Sequence, residues 1–482
     1  MNTHTLALQL MAAQGCLGAF DTLYHHELTE ALAHRHSARR ELAIHALRAM
    51  LYSVLFIGLS SWEFHGWWAA VLIAVFAIEI VLTLWDFVIE DRSRLLPATE
   101  RVTHTILAVN GGAFIALLAL NAPAWFAQPT ALVYHANGAL GIFLALCGIG
   151  VGLSGVRDAL AALDLKRRAQ AEAAVQPIHF ADQPSSVLVT GATGFIGQRL
   201  VRALVADGHH VMVLSRQPRA AAWLFDGRVE CVASMADLPR SRRIDVVINL
   251  AGARILGWRW SDKRKAVLRA SRVGLTRGLV EWIARAEHKP AMLLSASAIG
   301  YYGTQVRGDE TALAEDAPAQ PVFMSQLCRE WEAAAHQAET YGVKVACMRF
   351  GLVLGTQGAL PMMLLPIRFG AGGPLGDGRQ WLSWIHVDDL IGAIAHVWRR
   401  GEAGAYNFTA PECITQAQFA RTAAGVLHRP CVLPTPGAPM RLLLGEQADL
   451  LLEGQRVVPT RLLSDGFRFR FPLLERALRN VA

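Results

Sequence analysis

Apolar residues crowd the first third of the chain in four stretches, about Ala46 to Trp62, Trp67 to Ile89, Val102 to Leu120 and Ala131 to Leu153. Each is long enough for a helix to cross roughly 30 Å of hydrocarbon. A fifth stretch, Thr5 to Phe20, is shorter, is interrupted by Gln9 and Gln14 and has no basic residues ahead of it. It reads as an interfacial or partly inserted helix and not as a cleaved leader. From about Asp164 to Ser185 the chain is charged, alanine-rich and broken by Pro177 and Pro184, with no apolar period, which predicts a linker. Beyond it short apolar runs alternate with helical periods. Ser186 to Thr190, His210 to Leu214, Val229 to Val232, Asp245 to Asn249, Met292 to Ser295 and Val343 to Met348 predict the buried strands of a doubly wound parallel sheet. The expected organisation is an all-α four-span transmembrane domain over residues 1–163, a linker over 164–185 and an α/β domain over 186–482.

Composition agrees with that division. Hydrophobic residues make up 53% of the 482 and charged residues 18%, a balance too apolar for a wholly soluble enzyme. Seven cysteines without paired spacing exclude a disulfide framework or a CxxC motif and fit a reducing compartment. The formal charge is +7, but the basic residues are scattered or lie beside the apolar stretches, so no nucleic-acid partner is expected. Arg35, Arg39 and Arg40 precede the first stretch and Arg48 lies at its start, Arg92, Arg94 and Arg101 separate the second from the third, and Arg157, Lys166, Arg167 and Arg168 follow the fourth. The other two loops hold no Lys or Arg. The positive-inside bias then predicts that both termini and the α/β domain face the cytosol, as in a bacterial inner membrane.

His25, His26, Glu27, Glu41 and His45 lie before or at the start of the first span, Asp86, Glu90 and Asp91 end the second, and Glu100 and His104 start the third. The predicted orientation gathers them at the cytosolic face. Glu41 with His45, and Glu100 with His104, are each four apart and share a helix face. Two readings stand side by side: polar helix ends that snorkel to water, or carboxylates and imidazoles that hold iron or manganese between facing helices, with His25, His26, Glu41, His45, Glu90, Glu100 and His104 as ligands. Glu79 lies near mid-membrane, where an ionisable group is expensive and is either functional or a hydrogen-bonded packing residue.

In the α/β domain the run SVLVT leads directly into Gly191, Gly194 and Gly197 at the head of the helical pattern QRLVRALVADG. Strand, glycine turn and helix together predict a dinucleotide site, with the pyrophosphate on the free amides of the helix start. The second strand ends in Ser215 and Arg216, where NAD-preferring domains carry Asp or Glu; an Arg there suits the 2′-phosphate of NADP, unless it is only a solvated loop charge.

GATGFIG (Gly191 to Gly197), INLAG (Ile248 to Gly252), Arg259–Trp260 followed by Lys265 and Ser271–Arg272, SASAIGYYG (Ser295 to Gly303), LCREWE (Leu327 to Glu332), GDGRQWLSWIHVDDL (Gly376 to Leu390) and LLLEGQRVVPTRLLSDGFRFRFP (Leu450 to Pro472) resemble the extended short-chain dehydrogenase/reductases. Within them the likeness is to the atypical branch of nucleoside-diphosphate-sugar-epimerase-like epimerase family proteins, and it covers Ser186 to Arg479. The resemblance implies a Rossmann-like fold with a small C-terminal lobe, residues 434–482 being the segment specific to the branch. It implies NAD(P) at Gly191, Thr193, Gly194, Phe195, Ile196 and Gly197, at Ser215 and Arg216, and at Asn249, Leu250, Ala251 and Gly252. It also implies that Ser297 hydrogen-bonds the reacting carbonyl or hydroxyl, with Tyr301 four residues on. The Tyr-x-x-x-Lys pair on which the superfamily's proton transfer rests falls here on Phe323 and Leu327. Tyr301 or Tyr302 can replace the phenol, and Lys265, Arg272 or His386 the positive charge, unless these are structural.

The expected function is an NADP-dependent oxidoreductase or epimerase, with NAD the lesser alternative. It acts on a membrane-associated small molecule such as a lipid-linked sugar, a quinone or an isoprenoid, beside a bilayer, and a metal site in the spans is coupled to it in a stronger version. The contrasting expectation is a catalytically degenerate NADP sensor. A homo-oligomer is compatible with either.

Overall fold

Five helices, α1 (Thr3–Phe20), α2 (Arg39–Ser61), α3 (Trp67–Ser93), α4 (Ala98–Phe126) and α5 (Gly138–Ala173), build the first of two units, Met1–Val175. The computed structural model describes residues 3–29, 38–93, 96–173, 177–257 and 259–481. Among the described residues four helices, α2 to α5, are long and apolar enough to cross a membrane. The fourth apolar stretch begins as something else: β2 (Leu132–Tyr134) pairs antiparallel with β1 (Trp62–Phe64), placing Trp62 opposite Tyr134. Leu, Val and Tyr, bounded by Pro129 and Gly138, favour an extended strand there. At its other end α5 runs on to Ala173, ten residues into the segment read as linker, because its alanines and long charged side chains favour helix. It lies close against α2 through small residues: a Cβ on Gly148 would come 2.7 Å from Ile57, and one on Gly152 2.7 Å from Ser53.

The first helix packs into the bundle. Along its length α1 lies antiparallel to α4: Thr3 Oγ1 donates to Asn121 Oδ1, Asn110 Nδ2 donates to Gln14 Oε1 and to the Leu10 carbonyl, and Asp21 meets His104. Ala7, Leu8 and Met11 are fully buried, in one cluster with Phe56, Phe76 and Phe114. Gln14, taken from the sequence as an interruption, is the buried half of a satisfied polar pair between helices. Beyond Phe20 the chain continues as a π-helical stretch, Asp21–Thr29.

The second unit, Gln176–Ala482, carries β3 (Ser186–Thr190), β4 (His210–Leu214), β5 (Glu230–Val232), β6 (Val246–Asn249), β7 (Met292–Ala298), β8 (Lys344–Phe350), β9 (Leu352–Leu354), β10 (Trp381–Leu382), β11 (Trp384–His386), β12 (Gly404–Phe408) and β13 (Ile414–Thr415). Seven of them form one parallel sheet in the order β12-β8-β7-β6-β3-β4-β5. All six expected strands are there. Continuous Val, Leu and Ile runs suit strands covered on both faces, and apolar clusters do cover both faces of this sheet. The seventh, β12, escaped the sequence because its buried positions include Asn407. A smaller lobe packs on a separate core of Leu360, Trp384, Phe419, Leu474 and Leu478.

Candidate functional site

Strand order reverses at β3, which pairs with β4 on one side and β6 on the other. A ligand crevice of a doubly wound sheet opens at the carboxyl end of such a strand. The loop after β3 is shaped for it. Gly191 has φ +69°, and a Cβ on it would lie 2.7 Å from the Leu250 carbonyl carbon, so the loop rests directly on the chain leaving β6. A Cβ on Gly197 would fall 2.3 Å from the Gly191 oxygen, which lets helix α6 (Phe195–Ala206) press onto the turn. At Gly194, the cap residue of α6, an added Cβ would meet only the Gly191 oxygen, at 3.2 Å; its other side is open. The Gly194 amide is taken by the Gly191 carbonyl, and the first amides of α6, at Phe195, Ile196 and Gly197, are those that a helix start leaves for an anion.

Around this opening the expected cofactor residues divide into two groups. Thr193, Gly194 and Arg216 are exposed, and the Ser215 hydroxyl accepts from the Gln217 amide at the end of β4. The Phe195 ring is turned instead against Gly355 and Gly358, and Ile196 and Leu250 pack on the sheet core. Asn249 is wholly buried: its Oδ1 accepts from Thr190 and its Nδ2 donates to Thr276. The Ala251 amide is held by the Thr190 hydroxyl, and Gly252 abuts the Arg272 guanidinium. The side chains of Phe195, Ile196, Asn249 and Leu250 are thus taken up by packing or by buried hydrogen bonds, and their backbone borders the opening.

The catalytic candidates are rearranged more deeply. Ser297 donates to Glu332 Oε1 at 2.7 Å, and Glu332 is clamped by Arg349 through Nε–Oε1 and Nη2–Oε2 bonds of 2.8 Å each. Arg349, only 4% exposed, also donates to the Tyr302 hydroxyl, which in turn donates to Asn407 Oδ1 at 2.6 Å. Tyr302 is 1% exposed, and burial pushes its phenol up to about 12. Its hydroxyl is held between Arg349 and Asn407. Tyr301 keeps partial exposure, its ring face 3.5 Å from the Arg349 guanidinium. Sequence reasoning missed Glu332, Arg349 and Asn407, although a charge inside the apolar run VACMRF was a visible signal.

Lys265 sits on a helix capped by Ser261 (Asp262–Arg269). Its ammonium lies 4.8 Å over the ring of Phe323, the residue standing where the superfamily has its phenol, and it pairs with Glu446. Trp260 and Arg269 crowd the same ring. The C-terminal segment closes over this place, with Arg259 donating to the Leu442 carbonyl and Gln447 to that of Gly257. Arg272 donates to the Ala253 carbonyl and stacks on Trp331, 5.4 Å away; burial lowers its pKa from the usual guanidinium value.

His386 belongs elsewhere. Its Nδ1 accepts from the Asp388 amide as a helix cap, its Nε2 meets Asn480, and its ring stacks on Phe471 at 3.9 Å. Burial drives its pKa down to about 4, against about 6.5 unfolded. The unfolded chain therefore binds the proton first, and the stability that the neutral ring supplies falls as pH drops from 6.5 to 4. The loss reaches roughly 3 kcal/mol. Asp389, raised to about 6 mainly by burial, runs the opposite way. The difference in unfolding free energy between wild type and His386→Gln isolates the histidine: it should shrink by that amount across the window, and a difference independent of pH refutes the assignment.

Residues 187–408 match the model of the NAD-dependent epimerase/dehydratase family, and 435–481 match a domain of unknown function, DUF1731. An epimerase family protein of Bacillus subtilis is 41% identical over 305 residues, 61% of this chain and 97% of that protein. A chloroplastic epimerase family protein of Arabidopsis thaliana is 40% identical over 304 residues, 61% of this chain and 86% of its own. Among solved structures, a human epimerase family protein with NADPH matches with a TM-score of 0.55 and 35% identity, covering 62% of this chain and 99% of that one. A nucleoside-diphosphate sugar epimerase from Corynebacterium glutamicum matches at 0.50 and 26%, over 67% and 62%.

Proposed function

Since the chain belongs to the epimerase family of NAD-dependent epimerases and dehydratases, we propose that its α/β unit binds NADP and carries out oxidoreduction or epimerisation on a membrane-associated substrate. The observation that carries this reading is the open amide end of α6 at Gly194 together with the exposed Arg216 at the end of β4. The α6 amides take the pyrophosphate, and Arg216 takes the 2′-phosphate. NADPH in the related human structure supports the choice of cofactor. Arg216→Ala should weaken NADPH roughly 10-fold or more and leave NADH within about twofold, read by fluorescence titration. Equal loss for both nucleotides defeats the assignment.

The nicotinamide supplies or accepts hydride. Tyr301, Lys265 and Arg272 remain as groups for the accompanying proton and charge, and Ser297 is joined to Tyr301 through Glu332 and Arg349. Lys265 is favoured because its ammonium stands over Phe323, where the phenol is missing, while Glu446 holds it. Substrates that suit a carbonyl or hydroxyl site served by membrane-spanning helices are a lipid-linked sugar, a quinone or an isoprenoid. Anchoring raises the rate only if such a substrate is itself in the bilayer. With α2 to α5 across the membrane, the basic helix ends put the α/β unit on the cytosolic side.

The second reading, an NADP sensor without turnover, is favoured by Phe323 and by the burial of Tyr302. Single-turnover transfer of deuterium from labelled NADPH to a lipid extract separates the two. Transfer that falls with Lys265→Met, with nucleotide binding intact, supports the enzyme; no transfer from a binding-competent protein supports the sensor.

A further inference from the structure

In the helical unit Glu41, His45, Glu90, Glu100 and His104 are brought together, and His25 is joined to His104 through Asp21; all of them have partners there. The side chain of His26 lies outside the described residues. A different feature marks the α/β unit. One exposed apolar side chain on a folded domain needs no explanation, but the smaller lobe gathers several. The helix Leu360–Arg368 buries Leu360, Leu364 and Ile367 in the core of the lobe and leaves Met362, Leu365 and the adjoining Phe369 exposed. The exposed three are spaced i, i+3 and i+7 and form one stripe, at whose end Phe369 is 81% exposed.

Past the stripe the chain runs beside a later segment: the Leu433 amide donates to the Gly372 carbonyl, and the Gly376 amide to that of Thr435. Val432 and Leu433 are exposed on this ribbon. Two residues beyond Thr435 begins the helix Gly437–Leu444, of sequence GAPMRLLL, in which no residue is buried. Leu442 is 76% exposed and Leu443 is exposed beside it. A short helix whose leucines have no place in their own core needs something outside it to cover them.

The charge around these side chains has one sign. Residues 355–376 and 416–445 contain Arg368, Arg421, Arg429 and Arg441 and not one Asp or Glu. Arg441 is held by Asp449 and Glu453, whereas Arg368 and Arg429 are exposed and in no ion pair among the described residues. Arg368 borders the helical stripe, three residues after Leu365. Arg429 precedes Pro430, whose ring would lie 3.8 Å from a Cβ on Gly370. A second copy of the chain suits this face poorly, because a two-fold contact sets like charges against each other. A bilayer with anionic headgroups suits it on both counts: the acyl chains take the apolar residues, and the lipid phosphates meet arginines whose stems lie along the apolar surface. The chain also brings such a surface near, since residues 174–185 alone separate α5, apolar enough to cross a membrane, from β3.

We infer that this face docks the α/β unit on an anionic membrane surface, with Phe369, Val432, Leu433 and Leu442 set below the headgroups. The inference rests on the membrane reading of α2 to α5 and deepens the proposed function. The Leu442 carbonyl accepts from Arg259, and Glu446, two residues past the helix, pairs with the Lys265 ammonium over Phe323. An amphiphilic substrate that leaves the lipid at Leu442 therefore arrives beside the group favoured for the reaction.

The test uses the full chain in vesicles of phosphatidylethanolamine and phosphatidylglycerol, with photoreactive benzoylphenylalanine replacing Phe369, Leu442 or, as reference, Trp223, which is exposed on the helix Pro218–Leu224. Light is expected to attach phosphatidylglycerol at positions 369 and 442 about fivefold more than at 223 or above, and Arg368→Glu with Arg429→Glu to remove most of that excess. An unchanged melting temperature shows that the variants are folded. A chain that alkaline carbonate strips from the vesicles sinks the membrane reading and the docking with it. An inserted chain labelled at 369 and 442 no more than at 223 sinks the docking alone. So does labelling that the two charge reversals leave unchanged, or cross-linking of those positions to a second copy in place of lipid.

Discussion

Arg349→Met should destabilise the α/β unit by about 3–5 kcal/mol, the cost of stripping one member from a buried ion pair. The guanidinium satisfies both oxygens of Glu332, the Tyr302 hydroxyl and the Glu315 carbonyl at once. Its removal strands a carboxylate under the sheet. Burial there opposes charge on Arg349, but the Glu332 carboxylate outweighs it and raises the guanidinium above its ordinary value. Urea unfolding of residues 176–482 is the measurement, a fragment that matches nearly the whole length of the Bacillus relative. Pairing the change with Glu332→Leu should recover a large part of the loss, because no charge is then left behind. A loss below about 1 kcal/mol for Arg349→Met would show that water reaches the pair.

Gly194→Asp is the sharper functional change. The site faces open space apart from the Gly191 oxygen, so the fold should tolerate the side chain, while a carboxylate set at the α6 start repels a pyrophosphate. A like charge about 4 Å away in a partly screened site opposes binding by about 4 kcal/mol, so NADPH affinity should fall roughly 100- to 1,000-fold with little change in melting temperature. Gly197→Val should instead lose binding and stability together, since its Cβ would fall 2.3 Å from the Gly191 oxygen. NADPH affinity that survives Gly194→Asp would mean that the nucleotide does not rest on this loop.

Much of the fold was legible because its signals are local. Val187, Leu188 and Val189 announce a covered strand by composition, and the glycines that follow announce a turn by spacing. The site was less legible because its decisive contacts join residues far apart in the chain. Nothing near Tyr302 indicates that Asn407 and Arg349 will consume its hydroxyl, and nothing near Lys265 indicates that it will settle over Phe323. The packing of α1 was hidden for a different reason. Gln14 lowers the hydropathy of its own segment, and its partner, Asn110, lies on another helix.

That first helix changes how the bundle is threaded. From Thr3 to Asp21 it covers roughly 27 Å, at about 1.5 Å per residue, alongside the stretch of α4 from Asn121 to His104. Over that length Thr3, Leu10, Gln14 and Asp21 each meet α4, so a helix too polar to count among the apolar spans is nevertheless seated along most of one of them.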